Sequence, residues 1–180
     1  MADSFWTSAN VEPKRQYRFL VQLSGLEEVG NLWFAKSVNK PEITVNAEEH
    51  AYLNHKFYYP GTVEWNEVSL VLVDPVSPDA ASLTAKMIEQ SGYRGPGQLK
   101  GATPVTNSKE LSTRAVGNVI ITVIDAEGNP LETWTLNNPF IIKVGYGEQS
   151  YGDDALTEIE LTFRYDWATL EAGGRTYWQN

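Results

Sequence analysis

Leu156-Thr157-Glu158-Ile159-Glu160-Leu161-Thr162-Phe163-Arg164-Tyr165-Asp166-Trp167 decides the fold class. Ile159, Leu161, Phe163, Tyr165 and Trp167 occupy alternate positions, with Glu158, Glu160, Thr162, Arg164 and Asp166 between them. Side chains of an extended chain point to opposite faces in turn, so the pattern predicts a strand with one face in a core and the other in water. Gln16–Ser24 repeats it, with Tyr17, Phe19, Val21 and Leu23 opposing Arg18, Gln22 and Ser24. Leu32–Val38 reads as another strand, and Ile43–Tyr59 as a long extended stretch whose polar middle, Asn46–Asn54, suits a hairpin tip. Pro60-Gly61 predicts a turn, Val63–Val73 a strand rich in β-branched residues, and Asp74-Pro75 its end. Asn118–Asp125, Leu131–Leu136 and Phe140–Val144 are further strands, with turns at Glu127–Pro130 and a glycine-rich connection over 145–154.

One segment carries a helical period. Ser77 as cap, Pro78 in the first turn and Asp79 at the positive end predict a short α-helix over about 77–91, with Leu83, Met87 and Ile88 on one face and Gly92 as its stop. Tyr93–Ser112 is rich in Gly, Pro, Ser, Thr and Asn without periodicity, which predicts a long loop of the functional or interfacial kind. About seven or eight strands with one flanking helix predict a mainly-β, sandwich or barrel-like fold. It forms a single domain over 1–180, with an N-terminal arm over 1–12, the loop over 93–112 and a C-terminal tail over 169–180.

Composition narrows the function. With 180 residues, 42% hydrophobic and 21% charged, the chain suits one domain with its own core. No run is apolar for long enough to predict a transmembrane helix, and Met1–Lys14 lacks the basic-then-apolar pattern of a secretory leader, which predicts cytoplasmic folding. The absence of cysteine removes disulfides, thiolate metal sites and cysteine nucleophiles. A net charge of −9 opposes a nucleic-acid grip and is met most simply by solubility.

Chemistry finds little to use. His50 and His55 are at an odd offset, which separates them on a continuous strand; across a hairpin tip they could approach each other, but surface histidines are the commoner case, and neither accompanies a nucleophile-elbow motif. Glu158 and Glu160 stand about 6 to 7 Å apart on one strand face, within the range of glycosidase acid pairs. Thr162 and Arg164 flank them, however, and supply no apolar setting to raise a carboxyl pKa. Gly145-Tyr146-Gly147 and Gly173-Gly174-Arg175 lack the Lys-Ser/Thr ending of a phosphate loop. Neither a catalytic residue, a metal site nor a cofactor is expected. Most of the aromatics suit core positions, whereas Trp6 and Trp178 lie in polar termini and are candidates for contacts between subunits.

The order of certain residues resembles the contractile-phage tail tube family, related in fold to R-type bacteriocin tubes and the type VI secretion tube. The resemblance runs from about Pro13 to Ala168. It rests on Tyr17-Arg18-Phe19, Ala35-Lys36-Ser37-Val38 with Pro41, Phe57-Tyr58-Tyr59-Pro60-Gly61 leading to Trp65 and Val68, Trp134 and Leu136 before Gly145, and Ile159–Ala168 as a terminal strand. It implies a virion structural protein assembled in the host cytoplasm. Six-membered rings would join their sheets edge to edge around a bore and stack into a tube that passes DNA without binding it. Sheath, baseplate and tape-measure proteins would be its partners. The resemblance further implies a long hairpin reaching the adjacent ring, here Ile43–Tyr59, with Asn46, Glu48, Glu49, His50 and Asn54 near its tip. Alternation makes Arg18, Gln22, Glu158, Glu160, Thr162 and Arg164 candidates for the bore, with both arginines pairing to neighbouring acids so that the wall is only mildly negative. A tube initiator at the baseplate junction is the near alternative, and a glycan-binding or glycan-cleaving sandwich the distant one.

Overall fold

The structure is a computed structural model that describes residues 12–26, 30–98 and 106–179. In chain order its elements are β1 (Phe19–Leu23), a 3-10 turn (Ser24–Leu26), β2 (Ala35–Val38), β3 (Ile43–Tyr52), β4 (His55–Trp65) and β5 (Val68–Val73). They continue with α1 (Ala80–Gln90), α2 (Lys109–Val116), β6 (Val119–Ile124), β7 (Pro130–Asn137), β8 (Phe140–Gly145), β9 (Glu158–Arg164), β10 (Trp167–Ala172) and β11 (Arg175–Tyr177). The mainly-β expectation holds.

Two antiparallel sheets make the body, a five-stranded one in the order β1-β6-β7-β10-β11 and a four-stranded one in the order β2-β5-β9-β8; β3 and β4 pair only with each other. The alternation read from sequence sets which faces meet. Val21, Leu23, Val119, Ile121, Leu136 and Ala168 of the first sheet pack against Val68, Leu70, Leu72, Ile159, Leu161 and Phe163 of the second in one buried cluster. At about 25 cal/mol per Å² of apolar surface removed from water, the Val, Leu, Ile and Phe side chains among them each contribute roughly 1.5–3 kcal/mol. The sheets join at one corner, where Leu32 N donates to Val21 O at 2.8 Å and Gln22 bridges to Asn31.

The long run through Trp167 differs from its sequence reading in two respects: Trp167, expected on the core face, is only partly buried while its neighbour Ala168 enters the core, and a corner breaks the strand. The chain turns at Tyr165–Asp166, so β9 belongs to the four-stranded sheet and β10 to the five-stranded one. Asp166 fixes the corner: both its carboxylate oxygens accept from Lys109 Nζ at 2.7 Å, and Oδ2 also accepts from Asn138 Nδ2 at 2.9 Å. Those donors hold its carboxyl below the usual range. A period-2 pattern cannot reveal this turn, because the alternation continues through it. The expected tail over 169–180 is likewise corrected, since most of it is β10 and β11. Val63–Val73 is two strands as well, broken at Asn66–Glu67.

The flanking helix starts later than expected. Asp79, not Ser77, caps α1 by accepting from Ser82 N at 3.2 Å, and Asp74 Oδ1 accepts from Ala80 N at 3.1 Å. Ala80, Thr84 and Met87 are its buried residues, closing one end of the core with Leu83 against Leu72 and Leu161. A second helix replaces the end of the expected 93–112 loop. Ser108 caps α2, accepting from Leu111 N at 3.2 Å, and Gly117 ends it at a φ of 67°. A Cβ on Gly25 of the 3-10 turn would sit 2.2 Å from the Ala115 carbonyl oxygen, so only glycine lets the turn meet the end of α2 this closely.

Candidate functional site

The hairpin β3–β4 is the longest exposed element among the described residues: apart from Ile43 and Trp65 at its base, every residue in both strands is exposed. Its turn is at Leu53–Asn54. Of the five residues expected near the tip, Asn54 is there; Asn46, Glu48, Glu49 and His50 lie along the arm of β3. Asn46 sits at a bulge, where its Nδ2 donates to Thr62 Oγ1 at 3.2 Å. Pro60-Gly61 makes no turn: Pro60 lies opposite Ala47 within β4 and Gly61 enters the bulge beside it, a place where a proline's missing N–H is tolerated.

The register sorts the hairpin into two faces. Ile43, Val45, Ala47, Glu49 and Ala51 lie opposite Trp65, Val63, Pro60, Tyr58 and Lys56. This face is apolar apart from the Glu49–Lys56 ion pair at 2.9 Å, and Val45, Tyr58 and Val63 are 53%, 64% and 59% exposed. The other face carries His50 and His55 together, because the turn reverses the offset that would separate them on a continuous strand. His55 packs edge-on against Phe57 at 4.7 Å, and no cluster of three metal-ligating side chains occurs among the described residues. A two-stranded ribbon with one apolar side in water is marginal alone.

The six bore candidates fall into two groups. Glu158, Glu160, Thr162 and Arg164 share the outward face of β9, where Thr162, against expectation, is buried at 7% exposure, while Gln22 faces outward from β1 and Arg18 just precedes it in the other sheet. The sheets pack through their inward faces, so these groups point away from one another. On the β9 face every ionic side chain is paired. Lys36 donates to Glu158, Lys143 to Glu160 at 2.7 Å, and Arg164 to Glu64 at 2.7 Å with Glu67 at 3.7 Å. Four carboxylates against three cations leave a mixed, mildly negative surface. Arg18 pairs with Glu12 at 2.8 Å and Gln22 Nε2 donates to Asn31 at 2.5 Å.

Trp178 is held within its own chain, stacked on Trp134 at 6.1 Å and edge-on to Trp65 at 5.5 Å, and it remains 50% exposed. Trp6 lies outside the described residues. Beside this cluster the Tyr165 hydroxyl is buried without a partner among the described residues, and burial pushes its pKa up to about 12.

Sequence reading missed Glu132, which alternation places on the core side of β7 at 8% exposure. It accepts from Lys14, from Lys40 Nζ at 2.7 Å and from Trp134 Nε1 at 2.5 Å. Burial works to raise its pKa, but the three donors outweigh it and hold the carboxyl at about 2. Glu132 thereby ties the chain before β1 and the link between β2 and the hairpin onto β7. The one sequence signal was an acid out of phase with Thr133 and Thr135 on the polar face.

A groove of about 1010 Å³ opens between β1 and β2. Phe19, Val38, Ile121 and Val123 line it, and Lys14, Arg15, Arg18, Lys36 and Lys40 surround it with Glu42 as the sole lining acid among the described residues. No helix among the described residues is long and apolar enough to cross a membrane.

The architecture recurs in known assemblies. A chain of the anti-feeding prophage cap, described as a tube-terminating cap, superposes with a TM-score of 0.65 at 18% identity, covering 96% of this chain and all (100%) of that one. A chain of an extracellular contractile injection system, the PVC sheath-tube complex in its extended state, gives 0.61 at 17% identity, covering 89% and 92%. Hcp1 from Salmonella typhimurium gives 0.51 at 10% identity, covering 88% and 89%. No protein-family model and no curated protein sequence matches the chain. The chain has the contractile-tail tube-like fold.

Proposed function

We propose that this protein is the structural subunit of the inner tube of a contractile-tailed phage or phage-like particle, that it forms stacked six-membered rings whose bore conducts DNA, and that it is not an enzyme. The observation that carries the reading is the pair of open margins on the four-stranded sheet. Among the described residues β2 pairs only with β5 and β8 only with β9. Backbone donors and acceptors along an open strand edge bind another strand, and natural monomers cover or blunt such edges. Here each step across the sheet is antiparallel, so β8 of one copy laid beside β2 of the next continues the same alternation. A head-to-tail contact of this kind builds a ring when its rotation closes, here after six copies in this reading.

In this arrangement the outward face of the four-stranded sheet lines the bore. Glu158, Glu160 and Arg164 then face the passing polymer, with Thr162 buried on the same face, and the internal pairing of each charge leaves little cation for a polyanion to bind. Arg18 and Gln22 belong to the outer wall. The hairpin reaches the neighbouring ring with its apolar face against that ring's body, which supplies the cover it lacks in the monomer. A ring that ends or starts the tube is the second reading, favoured by the fold's recurrence in a tube-terminating cap structure. Sedimentation and negative-stain microscopy of the purified protein distinguish these. Hollow filaments support the tube subunit, rings that never stack support the terminating or initiating role, and a monomer at every concentration refutes both.

A further inference from the structure

The two margins of the four-stranded sheet carry opposite chemistry. Beside β2 lies the groove with five cations and one acid on its lining; Lys14 and Lys40 share Glu132, Arg18 pairs with Glu12 and Lys36 with Glu158, so with these partners counted the groove keeps one net positive charge, and Arg15 has no ion pair among the described residues. Beyond β8 lies the connection to β9, residues 146–157, with Glu148, Asp153 and Asp154, no Lys, Arg or His, and three exposed apolar side chains, Tyr146, Tyr151 and Leu156. Tyr151 projects wholly into solvent, and none of the three acids has an ion pair among the described residues.

We infer that the β8–β9 loop of one copy docks in the β1–β2 groove of the next, its acids against the basic rim and its aromatic side chains on the apolar floor. The inference rests on the tube reading and names the contact within a ring. Position agrees with chemistry. The loop leaves β8 at Gly145, which pairs with Glu160, and rejoins β9 at Glu158, the residue that holds Lys36 of β2. Loop and Lys36 therefore lie at the same end of the sheet. Rotation about a ring axis preserves that height, so the loop of one copy arrives at the Lys36 end of its neighbour's groove. A groove on one margin and its filling on the other is the heterologous kind of complementarity that builds rings rather than isolated dimers. Opposite charge at such a contact speeds association and rejects wrong registers.

The test uses two full-length variants. Arg15→Glu with Lys36→Glu reverses the rim, and Asp153→Lys with Asp154→Lys reverses the loop; circular dichroism and thermal melts confirm that each folds. Each variant alone is expected to assemble at concentrations at least about tenfold higher than the unsubstituted protein. An equimolar mixture is expected to recover, because every contact in an alternating ring then joins opposite charges. In the otherwise cysteine-free chain, Tyr151→Cys with Ser37→Cys should give a ladder up to the full ring with a short thiol cross-linker, whereas either cysteine alone should stop at dimers. If the unsubstituted protein forms rings while both variants assemble as it does, or the mixture fails to recover and no ladder forms, this contact is wrong and the tube reading survives. If the unsubstituted protein never associates, both fall.

Discussion

Replacing Glu132 with Gln removes one negative charge and keeps the side chain's shape. In the folded chain Lys14, Lys40 and the Trp134 indole hold this carboxyl at about 2 against an ordinary value of 4.5. Each pKa unit corresponds to about 1.4 kcal/mol, so the ionised group contributes roughly 3 kcal/mol at neutral pH. The folded pKa is the lower one. The contribution is therefore complete above about pH 5.5, falls to about 1.4 kcal/mol at pH 3, and nearly vanishes at pH 2. The two lysine side chains are 51% and 47% exposed, so water re-solvates them when the charge is removed, and the cost stays below that of a fully buried broken pair. Glu132→Gln should lose about 2–3 kcal/mol at pH 7, a fall in Tm of roughly 5–10 °C. Urea unfolding of both proteins at pH 7 and pH 3, at one low protein concentration, reads this directly. The difference should shrink by about half or more at pH 3. An equal loss at both pH values, or a loss under about 0.5 kcal/mol at pH 7, refutes the assignment of Glu132 as the ionised anchor of these segments.

Other perturbations test other parts. Tyr165→Phe removes a buried hydroxyl that has no partner, so stability should hold or rise by up to about 1 kcal/mol; a loss beyond about 1 kcal/mol would mean the hydroxyl is bonded. Glu158→Lys with Glu160→Lys makes the β9 face net positive. Tubes should still form but should retain DNA in co-sedimentation at low salt and slow its ejection, and unaltered retention would remove this face from the bore. Val45→Thr with Val63→Thr and Tyr58→Ser should leave the monomer within about 0.5 kcal/mol while abolishing stacking, so that microscopy finds single rings; normal filaments would show that the apolar hairpin face is not the inter-ring contact.

The body of this fold was legible because period-2 burial is printed in the residues: Val21 and Leu23, Ile159, Leu161 and Phe163, and Val68, Leu70 and Leu72 all lie where alternation puts them, Thr162 being the buried exception. What alternation cannot encode is where a strand leaves one sheet for another. The corner at Asp166 depends on Lys109 and Asn138, far away in sequence. The missed helix α2 has a serine cap and a glycine stop, yet it is only eight residues long, and too few turns repeat for a period to show. The hairpin's existence was readable; its tip was not, because polarity marks exposure and every side chain on its arms beyond Ile43 and Trp65 is exposed. Sequence gave equal standing to polar faces on β1 and β9, and only the packing of the two sheets separates them. Glu132 was hidden because a buried carboxylate depends on lysines about 90 to 120 residues away along the chain.

Cryo-electron microscopy of the assembled protein, at a resolution that shows backbone, tests the central claim most directly. The expected map has six copies per ring, a continuous antiparallel sheet around the bore, and hydrogen bonds between β8 of each copy and β2 of the next. A ring built through the five-stranded sheet, or an assembly in which β2 and β8 face solvent, would contradict it.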